Sequence, residues 1–154
     1  MKRILQLAVL GAVLATPAAA ATPGWQRYTN PESGLTVDIP LGIFDRDAGP
    51  AESGPGRKFV TSDGRANLTV QTVPNTRGGS PAAFLAAIGP PPGIVYRRVA
   101  KNFFVVSSFR DDTIWYNRCN FARGTASCVL INYPASEKAR WDGVVTRISR
   151  SLKS

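Results

Sequence analysis

The chain has 154 residues, with 19 Lys and Arg against 10 Asp and Glu, a formal charge of +9 and no histidine. Without an imidazole, the usual serine or cysteine nucleophile with a histidine base is excluded. Two cysteines alone are too few ligands for a structural zinc site.

The first residues have the layout of a secretory signal peptide. Lys2 and Arg3 precede an apolar stretch over residues 4–14, and small alanines at 18–20 form a cleavage site. We therefore expect a signal peptide over residues 1–21 and one α+β domain over 22–154, in the periplasm or secreted. A permanent N-terminal anchor helix is the alternative. Removing Lys2 and Arg3 leaves 17 basic and 10 acidic residues, so the exported chain stays basic at +7.

The first half of that domain is predicted to be mainly strands. Leu35, Val37 and Ile39 alternate with polar residues, which indicates a strand with one buried face that stops at Pro40. Residues 41–57 are dense in Gly, Pro and charge and are predicted to form a long loop. Asp63-Gly64 then separates two β-prone runs, which is typical of a hairpin.

A short helix is predicted next, since Ser80 suits an N-cap, Pro81 the first helical position and Gly89 the end. After the rigid "PPPG", four β-prone runs follow with short links, as in an antiparallel meander. The last segment repeats apolar residues at helical spacing and is predicted to be a helix docked on the sheet: Trp141, Val144, Val145, Ile148 and Leu152. A membrane-surface or partner-binding helix is the alternative.

The two cysteines, Cys119 and Cys128, flank a turn in the last hairpin. If Arg123-Gly124 form a two-residue loop, the cysteines face each other at a non-hydrogen-bonded pair, where Cα atoms lie about 4.5 Å apart. In an exported protein this spacing predicts a structural disulfide. Free thiols or a regulatory bond are the alternatives.

Five segments of the sequence also resemble segments of known proteins. "YTNPESGLTVDIP", "GRKFVTSDGRANLTV", "NFFVVSSF", "TIWYN" and "INYPASEKARWDGVVTRISRSL" resemble a group of small, uncharacterised exported bacterial proteins. Their layout is similar to the Mog1/PsbP-like α/β/α fold. The resemblance implies a curved antiparallel sheet covered by two or more helices. It implies no activity and no site residue.

Basic and aromatic residues recur along the meander and form the candidate binding surface. Arginine beside tyrosine or tryptophan is a combination that interfaces use for anchoring. The predicted members are Tyr96, Arg97, Arg98, Lys101, Arg110, Trp115, Tyr116 and Arg118. The alternative puts Trp115 in the core and treats the arginines as solvated edge residues that oppose strand pairing.

The sequence therefore predicts an exported, non-enzymatic binding or accessory protein with no cofactor and no metal. Its expected partner is an anionic envelope component or another envelope protein, with no nucleic acid and no membrane insertion after signal removal. The alternative is a small hydrolase whose cleft uses the 41–57 loop. Ser107 or Ser108 with Lys101 is the nearest approach to a nucleophile and base. The pairs Asp45 with Asp47 and Asp111 with Asp112 are expected to be solvated turn acids.

Overall fold

The computed structural model describes residues 24–122 and 124–154. The predicted signal peptide over residues 1–21 lies outside the described residues. None of the helices in these ranges is long and apolar enough to cross a membrane.

Most of the described residues belong to antiparallel strands. Within the described ranges there are nine strands, two α-helices and one 3-10 turn. They are β1 (Trp25–Thr29), β2 (Thr36–Pro40), β3 (Arg46–Pro50), β4 (Gly56–Val60), β5 (Asn67–Pro74), α1 (Pro81–Ile88), β6 (Gly93–Val99), β7 (Phe103–Arg110), β8 (Thr113–Ala122), β9 (Thr125–Pro134), the turn Ala135–Glu137 and α2 (Lys138–Ser151).

Seven of the strands form one sheet in the order β3-β4-β5-β9-β8-β7-β6, and every neighbouring pair is antiparallel. The strands β1 and β2 form a separate hairpin, and Thr36 of β2 also makes an isolated bridge to Lys153 after α2. The predicted α+β fold with helices on an antiparallel sheet is confirmed.

The prediction of a long loop over residues 41–57 is wrong. Residues 46–50 form β3, which pairs with β4 and has a register shift between Asp47 and Pro50. The sequence of β3 shows no alternation of apolar and polar residues, which is the usual signal of a strand. Alternation is not needed here because β3 is an exposed edge strand with little buried side-chain surface. The lead-in over residues 25–29 is likewise a strand, β1.

The larger core lies between the sheet and the layer formed by β2 and α2. Leu35, Val37 and Ile39 are buried as predicted, and β2 packs beside α2. The helix contributes Trp141, Val145 and Ile148, three of its four buried residues. These side chains close over the inner face of β5 and β9, so the predicted docking of the last helix is confirmed.

A smaller core occupies the opposite face of the sheet, under α1. Ser80 caps this helix through its hydroxyl, which accepts a hydrogen bond from the Ala83 N–H at 3.2 Å, and Gly89 ends it in the left-handed region. Leu85 packs there with the disulfide between Cys119 and Cys128. The two cysteines are opposite in register, with Cα atoms 4.1 Å apart, as the two-residue loop predicts.

Candidate functional site

Four of the eight candidate surface residues lie together on the face of the sheet that also carries α2. Side chains opposite each other in register share a face. Tyr96 is opposite Ser107, and Ser107 is opposite Tyr116. Arg98 and Arg118 flank Val105 in the same way. The register of three strands therefore collects two tyrosines and two arginines.

The other four residues lie elsewhere. Arg97 and Trp115 point to the α1 face, where Trp115 is half-buried against the smaller core. Lys101 lies in the turn before β7, and Arg110 ends that strand. These two positions are roughly 30 Å apart along an extended chain. The eight residues therefore do not form one continuous patch.

The four grouped residues line an open groove of about 510 Å³ between α2 and β6. The sheet forms its floor through Val105, Ser107 and Tyr116. One wall is the edge strand β6, and the other is the flank of α2 that carries Ser149 and Arg150. The groove exists because α2 packs over β2 and β9 and leaves the α2 face of β6, β7 and part of β8 uncovered.

Two guanidinium groups share one aromatic ring at this site. The Cζ of Arg98 lies 5.5 Å from the centroid of the Phe103 ring, and that of Arg118 lies 5.0 Å from it. A cation over an aromatic face is attracted by the ring quadrupole, which compensates part of the cost of placing two like charges together. Phe103 thus holds both arginines at the groove.

Hydrogen bonds tie the floor of the groove to the helix. The Tyr116 hydroxyl donates to Ser149 Oγ at 2.6 Å. Arg118 Nε donates to Asn120 Oδ1 at 3.1 Å, and Asn120 Nδ2 donates to the Leu152 carbonyl at 3.0 Å. Arg118 is therefore positioned by a side chain that is itself fixed to the end of α2.

The charge of the groove is positive. In the described part of the chain, no carboxylate oxygen lies within 4 Å of Arg98, Arg118 or Arg150. The one acid in the lining, Asp142, is bonded to Lys138 at 2.8 Å. Three arginines therefore face the groove without a compensating acid.

Two tyrosines of the groove, Tyr116 and Tyr133, have raised pKa values and are neutral at physiological pH. Burial raises the pKa of Tyr116 above its usual value, although the bond to Ser149 opposes the shift. Burial, reinforced by the Asp142 charge, raises the pKa of Tyr133 to about 12. These tyrosines therefore add no negative charge beside the arginines, and the guanidinium groups are the donors that would hydrogen-bond and neutralise an anion.

The same groove offers little for catalysis. Ser107 faces it, but Lys101 is not among its lining residues. Ser108 points to the opposite face and is fully buried, with no hydrogen-bond partner for its hydroxyl among the described residues. Groups of three or more potential metal ligands are also missing from residues 24–122 and 124–154.

Sequence analysis missed Phe103, Asn120 and Arg150 as members of this site. Phe103 and Asn120 are opposite each other in the β7–β8 hairpin, so counting outward from Asp111-Asp112 finds them once the register is known. Arg150 has no such signal. It reaches the groove through the way α2 packs across the sheet, which no local pattern specifies.

The seven-stranded antiparallel sheet with α2 and α1 on opposite faces defines a PsbP-like fold. No protein-family model matches the sequence, and no curated protein matches it. Among solved structures, the chain is similar to the solution structure of cyanobacterial PsbP (CyanoP) from Synechocystis sp. PCC 6803. The match has a TM-score of 0.63 at 12% sequence identity and covers 91% of this chain and 98% of CyanoP. At that identity the likeness concerns the fold, and the predicted PsbP-like fold is confirmed.

Proposed function

We propose that the protein is an exported, disulfide-stabilised accessory protein that performs no catalysis. In this proposal it works in the periplasm or outside the cell and binds an anionic envelope component or another envelope protein in the groove between α2 and β6. The observation that carries the proposal is the arginine pair held over Phe103 without a carboxylate within 4 Å in the described part of the chain.

Charge pairing elsewhere in the molecule supports this interpretation. Arg27, Arg57 and Arg65 each contact a carboxylate, on Asp38, Asp47 and Glu137 respectively. The arginines of the groove lie beside hydroxyl and amide groups, and the one acid of the lining, Asp142, is bonded to Lys138. An anionic partner would supply the missing negative charge and gain charge-assisted hydrogen bonds.

Export is supported by the sequence and by the disulfide. Residues 1–21 follow the pattern of a signal peptide, which would direct the chain out of the cytosol. A buried disulfide between Cys119 and Cys128 persists most readily in an oxidising compartment. The PsbP-like fold is compatible with an accessory role, although one fold can host many functions.

The test uses residues 22–154, purified under oxidising conditions, with polyglutamate as the anionic probe and fluorescence anisotropy as the readout. The variant Arg98→Gln/Arg118→Gln should bind polyglutamate at least tenfold more weakly, a loss of about 1.4 kcal/mol or more. The matched control Lys58→Gln/Arg77→Gln removes the same charge outside the groove lining and should bind within about threefold of wild type.

Equal losses in the two double variants would mean that net charge, not the groove, attracts the polyanion. Absence of polyglutamate binding at low salt would also contradict the proposal. Because both variants keep the core and the disulfide intact, their unfolding curves should match wild type to within about 1 kcal/mol.

A further inference from the structure

The edge strand β6 has an outer side with unpaired backbone groups. The Ala100 N–H donates to the Phe103 carbonyl at 2.8 Å, so these two residues form a hydrogen-bonded pair. Such pairs recur at every second residue of an antiparallel strand, so Arg98 and Tyr96 are also hydrogen-bonded to their partners in β7. In an antiparallel pair the bonding side alternates along the strand. The N–H and C=O of Arg97 and Val99 therefore point away from β7, and neither has a backbone partner among the described residues.

The side chains of β6 are exposed and largely apolar. Ile94, Val95, Tyr96 and Val99 keep between 38% and 54% of their surface in solvent. A long edge strand with such side chains is a template for pairing with another chain, and soluble proteins normally blunt it. An exposed apolar row beside a charged groove is typical of an interaction site.

The geometry points to strand addition: we propose that β6 accepts an extended, acidic segment of another protein as an eighth strand of the sheet. This inference rests on the proposed function, because one face of the added strand would border the groove. Its side chains would alternate between the two faces, so acidic residues on the groove face meet Arg98 and those on the opposite face meet Arg97.

Charge complementarity selects this occupant over a second copy of the chain. Pairing two β6 strands would put Arg97 and Arg98 of each copy into one narrow ribbon, with a formal charge of +7 on each chain once Lys2 and Arg3 are removed with residues 1–21. Like charges on neighbouring strands destabilise such a pair. An acidic segment neutralises the same arginines and uses the same free backbone groups, as in other cases of β-augmentation.

The experiment uses residues 22–154 with the disulfide formed and a seven-residue peptide with blocked ends. In this peptide pairs of glutamates alternate with pairs of valines, so each face of the added strand carries glutamates. Amide hydrogen exchange is read residue by residue at saturating peptide. The amides of Arg97 and Val99 should exchange at least tenfold more slowly, whereas those of Tyr96 and Arg98, already bonded to β7, should change little.

A second peptide isolates the backbone contribution. It has the same side chains but carries N-methyl groups on alternate amides that would face β6, and it should bind at least tenfold more weakly. On the protein, Arg97→Pro removes both a charge and an outward N–H, whereas Arg97→Gln removes the charge alone. Arg97→Pro should therefore bind more weakly than Arg97→Gln, and the methylated peptide keeps the test decisive if Arg97→Pro does not fold.

The outcomes separate the two proposals. Equal affinity of methylated and unmethylated peptides, combined with a loss in Arg98→Gln/Arg118→Gln, overturns strand addition and leaves the groove as the binding site. Sensitivity to methylation without sensitivity to those arginines supports strand addition and overturns the groove proposal. Failure to bind the peptide, or dimerisation of the free chain through β6, overturns strand addition.

Discussion

The two edge strands of the sheet, β3 and β6, differ in length, in the presence of a proline and in the pairing of their charged side chains. The β3 edge has five residues, "RDAGP", with a register shift, a proline and an ion pair between Asp47 and Arg57. The β6 edge has seven residues, "GIVYRRV", all exposed, with two arginines that have no carboxylate within 4 Å in the described part of the chain.

The difference indicates which edge strand resists pairing with the strand of another chain. Proline, short length, β-bulges and charged side chains are among the devices by which soluble proteins prevent edge-to-edge association. The β3 edge has all four. The β6 edge has only a register shift between Ile94 and Tyr96 and its positive charge, which repels basic partners and attracts acidic ones. In the proposed interaction, the β6 edge therefore pairs with acidic segments and not with basic ones.

The largest expected effect comes from the disulfide, which lies on the α1 face and supports the half of the sheet that contains β6. The double variant Cys119→Ala/Cys128→Ala should lose about 2.5 kcal/mol of unfolding free energy by chain entropy, measured by urea denaturation. Hydrogen exchange should speed up more in β7 and β8 than in β4, because Phe104 and Val106 pack in the same core as the cysteines. Equal acceleration in both halves would contradict this division of the sheet.

A second prediction concerns a variant in which the β3 edge is made able to pair with another chain. The variant Asp47→Thr/Pro50→Val removes the ion pair and the proline from β3, so its monomers should associate at least tenfold more strongly in sedimentation equilibrium. The control Asp47→Asn keeps Pro50 and the register shift and should remain monomeric. If the double variant also stays monomeric, the sequence of β3 is not what closes this edge.

The smallest effect is a pH response at the ion pair between Asp47 of β3 and Arg57 of β4. The bond from the Arg57 side chain lowers the pKa of Asp47, and the Gly49 N–H, which donates at 2.8 Å, lowers it further. Because this pKa is lower in the folded than in the unfolded chain, the stabilisation is present above about pH 4 and is lost as pH falls through the folded value.

Hydrogen exchange, corrected for the intrinsic pH dependence of the rates, should therefore show weaker protection in β3 and β4 below pH 4 and little change in β6. The variant Asp47→Asn should abolish the response in β3. A response at the turn between β4 and β5 would remain, because the hydrogen bond from the Thr61 hydroxyl lowers the pKa of Asp63 as well. A pH-dependent loss of protection in β6 of the same size would contradict the assignment to this ion pair.

Local patterns predicted the elements whose side chains are buried. Leu35, Val37 and Ile39 signalled β2 because one face of that strand is buried, and Trp141, Val145 and Ile148 signalled α2 in the same way. The cysteine hairpin was predictable because a two-residue loop fixes its register.

The candidate site was predictable only in part. Four of the eight residues come together because strand register places them on one face, whereas Arg97 and Trp115 point to the other. That division depends on the bonding pattern across three strands, and Arg150 enters only through the packing of α2. The strand β3 was not predicted because it lies at an exposed edge of the sheet, where a strand does not need alternating apolar residues.

One measurement tests the central claim, that the open β6 edge and its groove are the binding surface. Titration of ¹⁵N-labelled residues 22–154 with the glutamate–valine peptide reports both edges in a single NMR spectrum. The account predicts shift changes in β6 and in Phe103 and Arg118, with β3 unchanged. Changes centred on β3, or none at either edge, would contradict it.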